Sequence, residues 1–182
     1  MSSERKRGHA FQAAASFAAR QHRHQLRKDL KTPYAAHVFR VAMTVSHVFG
    51  CRDESVITAA LLHDTIEDTT TDFEDIESRF GTDVAAMVSA LTKNMALPEP
   101  EREREYDQRL GAADWRVRLV KLADTYDNFA DALETEGMDH KLNDHYDKCV
   151  RAIELARKDE AAHEASARAM TLVRELIAPY RR

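Results

Sequence analysis

The shortage of chain-breaking residues limits the fold of this chain more than any other feature: it has five glycines and four prolines in 182 residues. An architecture of many short strands needs turn residues at close intervals, so a chain this poor in them is expected to run as long helices. The apolar spacing agrees. Phe11, Ala14, Phe17 and Ala18 share one face of a first helix expected over about 8–26, and His37, Val41, Val45 and Val48 form a stripe on a second over about 34–49. Pro33 suits the start of that second helix, and Gly50 is placed to end it. Asp53 is a candidate N-cap for a third helix, apolar on all sides through Leu62 and therefore central and buried. It runs out in His63-Asp64-Thr65-Ile66-Glu67-Asp68. Thr71 or Asp72 can cap a short helix to Phe80, which Gly81 terminates, and another helix follows over about 82–93. Asp114 caps a strong helix with Trp115, Leu119, Leu122, Tyr126, Phe129 and Leu133 as its stripe. Helices over about 140–157 and 160–180 complete the chain. There is no internal repeat and no strand-like alternation, so the expectation is an all-α helical bundle forming one domain over 1–182.

Composition removes several classes of function. Hydrophobic residues at 43% and charged residues at 32% suit a soluble globular domain with a real core. A net charge of −4 gives no reason to expect nucleic acid as a partner. No apolar run approaches a membrane span, so no membrane partner is expected. Arg5-Lys6-Arg7 before the alanine-rich stretch 10–19 faintly imitates a signal peptide, but Gln12 and Ser16 interrupt it and Arg20 follows at once. An amphipathic first helix is the better reading. Cys51 and Cys149 form neither a CxxC nor a metal spacing and read as reduced thiols of a cytoplasmic protein. The Glu/Arg-rich segment 98–111 reads as a solvated surface helix, with a mobile loop or a lid as the other readings.

The chemistry is carried by ionisable residues set in apolar context. His63-Asp64 follows Ala59-Ala60-Leu61-Leu62, His37 sits on a valine stripe, and Asp124 ends the run Leu119-Val120-Lys121-Leu122-Ala123. Each alone has an ordinary reading: a hydrogen-bonded core histidine, a helix end, an arginine's partner. Burying all of them is costly unless something pairs with them, and a metal ion satisfies the whole set. Neutral imidazole with carboxylate suits Mn, Fe, Co or Zn. Glu67 lies four residues after His63 and Asp68 four after Asp64, so a continuing helix would aim both carboxylates at the metal side, where they could position or deprotonate a bound water. Their ordinary reading is a solvated helix end. Asn128 sits one turn beyond Asp124. Arg27 and Lys28 bring positive charge of the kind that a phosphorylated substrate needs, although an exposed basic turn would look the same.

The ordered set His37…His63-Asp64…Asp124 resembles the HD superfamily of metal-dependent phosphohydrolases. His63-Asp64-Thr65-Ile66-Glu67-Asp68 resembles the H-D-x-x-E-D signature of the alarmone hydrolases, the (p)ppGpp hydrolase domains of the RelA/SpoT stringent-response enzymes and their small stand-alone relatives. Lys121-Leu122-Ala123-Asp124 with Asn128 is similar to the family's K-L-A-D-x-x-x-N, and Arg27-Lys28 before Pro33-Tyr34 and His37 to its R-K…P-Y…H. These motifs span about 27–128. The resemblance implies one divalent ion, Mn²⁺, on His37, His63, Asp64 and Asp124. It implies Glu67 and Asp68 as catalytic carboxylates, and Arg27, Lys28 and Asn128 as contacts to a small-molecule nucleotide. The implied reaction is release of pyrophosphate from the 3′ position of (p)ppGpp. The chain departs from the family after Asn128, where Phe129-Ala130-Asp131 stands in place of a common basic or hydroxyl residue. That departure leaves room for an HD enzyme with another substrate, such as an NADPH phosphatase or a nucleotidase. A non-catalytic nucleotide-binding module and a metal-free helical interaction protein are the remaining alternatives.

Overall fold

The computed structural model describes residues 3–180, with side chains from residue 10 onward. Its elements are α1 (Ser3–Gln21), α2 (Ala35–Met43), α3 (Glu54–Leu62), α4 (Thr65–Asp68), α5 (Phe73–Phe80), α6 (Thr82–Leu91), α7 (Glu99–Ala112), α8 (Trp115–Glu134), α9 (Leu142–Ala156) and α10 (Glu164–Ile177). Among the described residues there is no strand, only an isolated bridge between Leu26 and Pro33. No described helix is long and apolar enough to cross a membrane. The all-α expectation therefore holds.

The expected caps form. Asp53 accepts the Ser55 and Val56 amides at the head of α3, Asp72 (not Thr71) accepts the Asp75 amide at α5, and Asp114 accepts the Arg116 amide at α8. Gly50 and Gly81 take positive φ, +80° and +88°, which glycine adopts without the Cβ clash of other residues. The first-helix face is less regular than expected. Ala14, Phe17 and Ala18 are buried, whereas Phe11 is 43% exposed.

α3 is the central helix that its composition demanded, with Val56, Ala59, Ala60, Leu61 and Leu62 all buried. It packs against α1, α2, α6 and α8. α8 is the second axis, lying against α9, α2, α10, α6 and α3. Leu119, Val120, Leu122, Ala123 and Phe129 have no exposed surface.

The chain departs from the simple helical reading in three places, and the first and last of them border the site. α1 stops at Gln21 rather than near residue 26. The basic cluster after it lacks an apolar stripe to hold it helical, and its amides find other partners. Arg27 N donates to the Thr32 carbonyl at 2.8 Å and Tyr34 N to the Gln25 carbonyl at 2.9 Å. The second helix is not α throughout: Thr44–Val48 forms a π-helical turn, and Phe49 N reaches back to the Thr44 carbonyl at 2.8 Å. α3 ends at Leu62, with Asp64 at φ −98°, ψ −2° before α4 begins. The helix thus does not continue unbroken through His63-Asp64.

A buried ion pair ties the α7–α8 corner to the turn between α9 and α10. Arg118, at the start of α8, donates Nε and a terminal nitrogen to Asp159 at 2.6 and 2.8 Å, and both side chains are over nine-tenths buried. Its other terminal nitrogen donates to the Leu110, Gly111 and Ala113 carbonyls at the α7–α8 corner. Asp159 lies in the short 3₁₀ turn between α9 and α10. Removing one member of such a pair strands a buried charge, so Asp159→Ala is expected to lower stability by about 3–5 kcal/mol in chemical denaturation. A loss under about 1 kcal/mol would mean that the carbonyls alone suffice for the guanidinium.

Candidate active site

Where α2, α3 and α8 meet, four side chains converge. His37 Nε2 lies 3.4 Å from Asp64 Oδ2 and 3.3 Å from Asp124 Oδ1, and His63 Nε2 lies 3.1 and 3.7 Å from the same two oxygens. Donor atoms of His37, His63 and Asp124 all fall within 4.8 Å of one another. Ligand bonds of about 2.0–2.2 Å would set neighbouring donors roughly 3–3.5 Å apart, which matches this spacing. The imidazoles are oriented to present lone pairs here. His63 Nδ1 donates to the Ala60 carbonyl at 2.8 Å, while its Nε2 is buried with no hydrogen-bond partner. His37 Nδ1 donates to Asp127 Oδ2 at 2.7 Å, leaving its own Nε2 toward the carboxylates. An orphaned, buried imidazole nitrogen facing two carboxylate oxygens fits a divalent cation well.

The electrostatics point the same way. Burial opposes charge on all four groups, and their mutual attraction outweighs it. The carboxylates of Asp124, Asp127 and Asp64 bring the His37 pKa up to about 9, and Asp64 and Asp124 hold that of His63 well above its ordinary value. His63 and His37 hold Asp64 well below the carboxylate range, as Lys121 and the histidines do Asp124. A field that favours protons on both imidazoles favours any cation placed between them.

An outer layer fixes these groups. The Tyr34 hydroxyl donates to Asp64 Oδ2 at 2.7 Å, and Lys121 Nζ donates to Asp124 Oδ2 at 2.8 Å. From Asp124 a chain of hydrogen bonds runs round to His37. Asn128 Nδ2 donates to Asp124 Oδ1 at 2.6 Å, and Arg27 to Asn128 Oδ1 at 2.9 Å. Arg27 also donates to Asp131, Arg40 bridges Asp131 and Asp127, and Asp127 takes His37. Asp131 thus has a physical role: it holds both arginines.

Glu67 and Asp68 lie beside the cluster despite the break at Asp64. With His63, Asp64 and Asp124 they line a pocket of about 160 Å³. Glu67 Oε2 accepts the Lys93 amide at 2.7 Å. Burial raises its pKa, with Asp64 and Asp68 adding to the effect, and burial and Asp64 raise that of Asp68. The pocket adjoins a larger cavity of about 400 Å³, where Arg27, Lys28, Lys93, Lys121, Lys148 and Arg151 supply positive charge. Segment 98–111 is helix α7, and its Glu103, Tyr106, Asp107 and Leu110 form one wall of that cavity. With Tyr106 and Leu110 buried, it is neither a fully solvated helix nor a loop.

The HD domain family pattern matches residues 14–150. The chain belongs to the HD domain family. A guanosine-3′,5′-bis(diphosphate) 3′-pyrophosphohydrolase, MESH1, of Xenopus tropicalis is 47% identical to this HD domain over 119 residues, 65% of this chain and 66% of that protein. The human MESH1 is 38% identical over 144 residues, covering 77% and 80% of the two chains. A solved structure described as a metazoan ortholog of SpoT that hydrolyses ppGpp superposes with a TM-score of 0.82 at 31% identity, covering 94% of this chain and 95% of that one.

Every residue singled out in the sequence of this HD domain lies at the cluster or in its cavity: His37, His63, Asp64 and Asp124 at the centre, Glu67 and Asp68 beside it, Arg27, Lys28 and Asn128 in the adjoining wall. Sequence reasoning missed Tyr34, Lys93, Lys121 and Asp127 as functional groups. Lys121 and Asp127 had a legible signal, each three residues from Asp124 on one helix. Tyr34 had one too, three residues before His37 and inside the Pro33-Tyr34…His37 pattern, whereas Lys93 had none, since its contact with Glu67 arises from a chain crossing. Asp127 orients a candidate ligand from its far nitrogen, so Asp127→Asn is expected to weaken divalent-metal binding about 10–100-fold in a metal titration. Unchanged affinity would mean that His37 is held by packing alone.

Proposed function

We propose that this HD domain removes pyrophosphate from the 3′ position of guanosine 3′,5′-bis(diphosphate), using a divalent ion held by His37, His63, Asp64 and Asp124. The observation that carries this reading is the two-imidazole, two-carboxylate cluster opening into a cavity walled by cations. Such a pairing suits a substrate with several phosphates, and the relatives named above act on such a molecule. Resemblance favours Mn²⁺ among the ions that this donor set accepts.

A divalent ion bound there would lower the pKa of a coordinated water and draw charge from a phosphoryl oxygen. The chain's own groups supply the rest. Glu67, anchored by the Lys93 amide and raised in pKa by burial, takes the proton of the attacking water. Asp68, on the same wall, orients that water through its carboxylate. Tyr34 holds Asp64, and Lys121 and Asn128 hold the two oxygens of Asp124. Arg27 is fixed by Asp131 with its guanidinium 5.5 Å from the Tyr34 ring centroid. That leaves a planar group at the cavity wall on which a purine can stack.

The test is hydrolysis of ppGpp by purified protein with Mn²⁺, following GDP and pyrophosphate. Both products are expected, chelator is expected to abolish their release, and so is Asp64→Ala. Glu67→Gln is expected to retain metal and lose about 10²–10⁴-fold in kcat. Release of orthophosphate from NADPH or a nucleoside monophosphate, with ppGpp untouched, would assign the same centre to a different substrate.

A further inference from the structure

The proposed reaction leaves one buried histidine without a role. His22 follows the end of α1 and is 1% exposed. Its ring lies against that of Tyr34, with centroids 4.8 Å apart and planes inclined by 30°. Its Nε2 is buried with no hydrogen-bond partner. A polar atom stranded in this way costs stability, so packing alone would favour an apolar side chain at this position.

The other ring nitrogen has a specific partner. His22 Nδ1 lies 2.6 Å from Gln25 Oε1, and Gln25 Nε2 donates to the Asp68 carbonyl at 2.6 Å, across a separation of 43 residues. A carbonyl can only accept, so the Gln25 amide turns Nε2 to Asp68 and Oε1 to His22. His22 Nδ1 is therefore the donor, and it fixes which way round the amide stands. The main chain of Gln25 is held too, its carbonyl accepting the Tyr34 amide at 2.9 Å. The Asp68 carbonyl needs such a partner. α4 is a single turn of four residues, and Thr69 after it is extended at φ −135°, ψ −174°, so no following helical turn supplies an amide to that carbonyl. A helix this short has little stability of its own.

We propose that His22 and Gln25 form a clasp that positions Asp68. The imidazole sets the Gln25 amide, the amide anchors the end of α4, and the Asp68 carboxylate is thereby kept in the pocket that it shares with His63, Asp64 and Asp124. Neither His22 nor Gln25 lines that pocket, so both act through Asp68. This rests on the proposed function for the reaction in which Asp68 orients the attacking water. A misaligned water is felt in the transition state, so loss of the clasp falls on turnover and spares the binding of nucleotide and metal.

Three variants of the full-length chain test it. His22→Phe keeps a ring against Tyr34 and lacks the donor. His22→Asn lacks the ring and places an amide N–H where Nδ1 stood, and Gln25→Glu keeps its shape but has no N–H to offer Asp68. His22→Phe and Gln25→Glu are expected to lose about 10–100-fold in kcat for ppGpp on the Mn²⁺-loaded enzyme, with KM and Mn²⁺ affinity within about twofold of wild type. His22→Asn is expected to keep kcat within about threefold of wild type, although the smaller side chain leaves a void and lowers its melting temperature more than His22→Phe does. A histidine with a merely structural role would give the opposite order, with activity following the melting temperature. Wild-type kcat in His22→Phe or Gln25→Glu, or losses that follow the melting temperature across the three variants, would overturn the clasp. If the wild type leaves ppGpp intact, the proposed function fails, and amide hydrogen exchange over residues 65–69 still decides. Faster exchange in His22→Phe and Gln25→Glu than in wild type and His22→Asn supports the clasp, and equal exchange in all four proteins overturns it.

Discussion

Holding His37 and His63 within 3.1–3.7 Å of the Asp64 and Asp124 oxygens, inside a helical core, is the arrangement on which the polar groups around the site depend. Groups of this kind are expensive to bury singly and tolerable only as a mutually satisfied set. The surrounding residues supply that satisfaction. The Ala60 carbonyl and Asp127 take the outward imidazole nitrogens, while Tyr34, Lys121 and Asn128 occupy carboxylate oxygens. What remains unsatisfied is His63 Nε2, at the point where a cation would sit.

The chain of hydrogen bonds from Asp124 through Asn128, Arg27, Asp131, Arg40 and Asp127 to His37 joins the histidine-carboxylate cluster to the wall of the larger cavity. Position in such a chain makes the members interdependent, because removing one leaves its neighbours with unpaired charge in a region of low dielectric. It also explains the acidic residue at 131. With Arg27 and Arg40 converging from different segments, a carboxylate between them relieves a repulsion that a basic residue there would worsen.

Charge is divided along the cavity. The acidic end gathers Asp64, Glu67, Asp68 and Asp124, and the wall formed by α9 and the loop after α1 carries Lys28 and Lys148. Glu103 of α7 pairs with both Lys93 and Arg151 between them. The Glu/Arg-rich segment is therefore a built wall, with Tyr106 buried and donating to the Leu91 carbonyl at 3.0 Å.

Much of this molecule was legible in its sequence because the controlling signals are local. Scarce turn residues and 3.6-residue periodicity specify helices, Asp53 and Asp114 announce their starts, and an ionisable residue such as His37 on an apolar stripe announces a buried site. The places where local reading failed are those where a distant partner competes. α1 ends early because the loop after it pairs with residues 32 and 34, and the helix breaks at Asp64 as its carboxylate turns into the cluster. By itself the sequence determined the helical class and the set of histidines and carboxylates that must be satisfied together. Only the tertiary structure decided how they are satisfied. Arg27 reaches Asp131 across a separation of 104 residues and Arg40 reaches Asp127 across 87, and partners that far apart are chosen by how the helices pack, which no local pattern encodes.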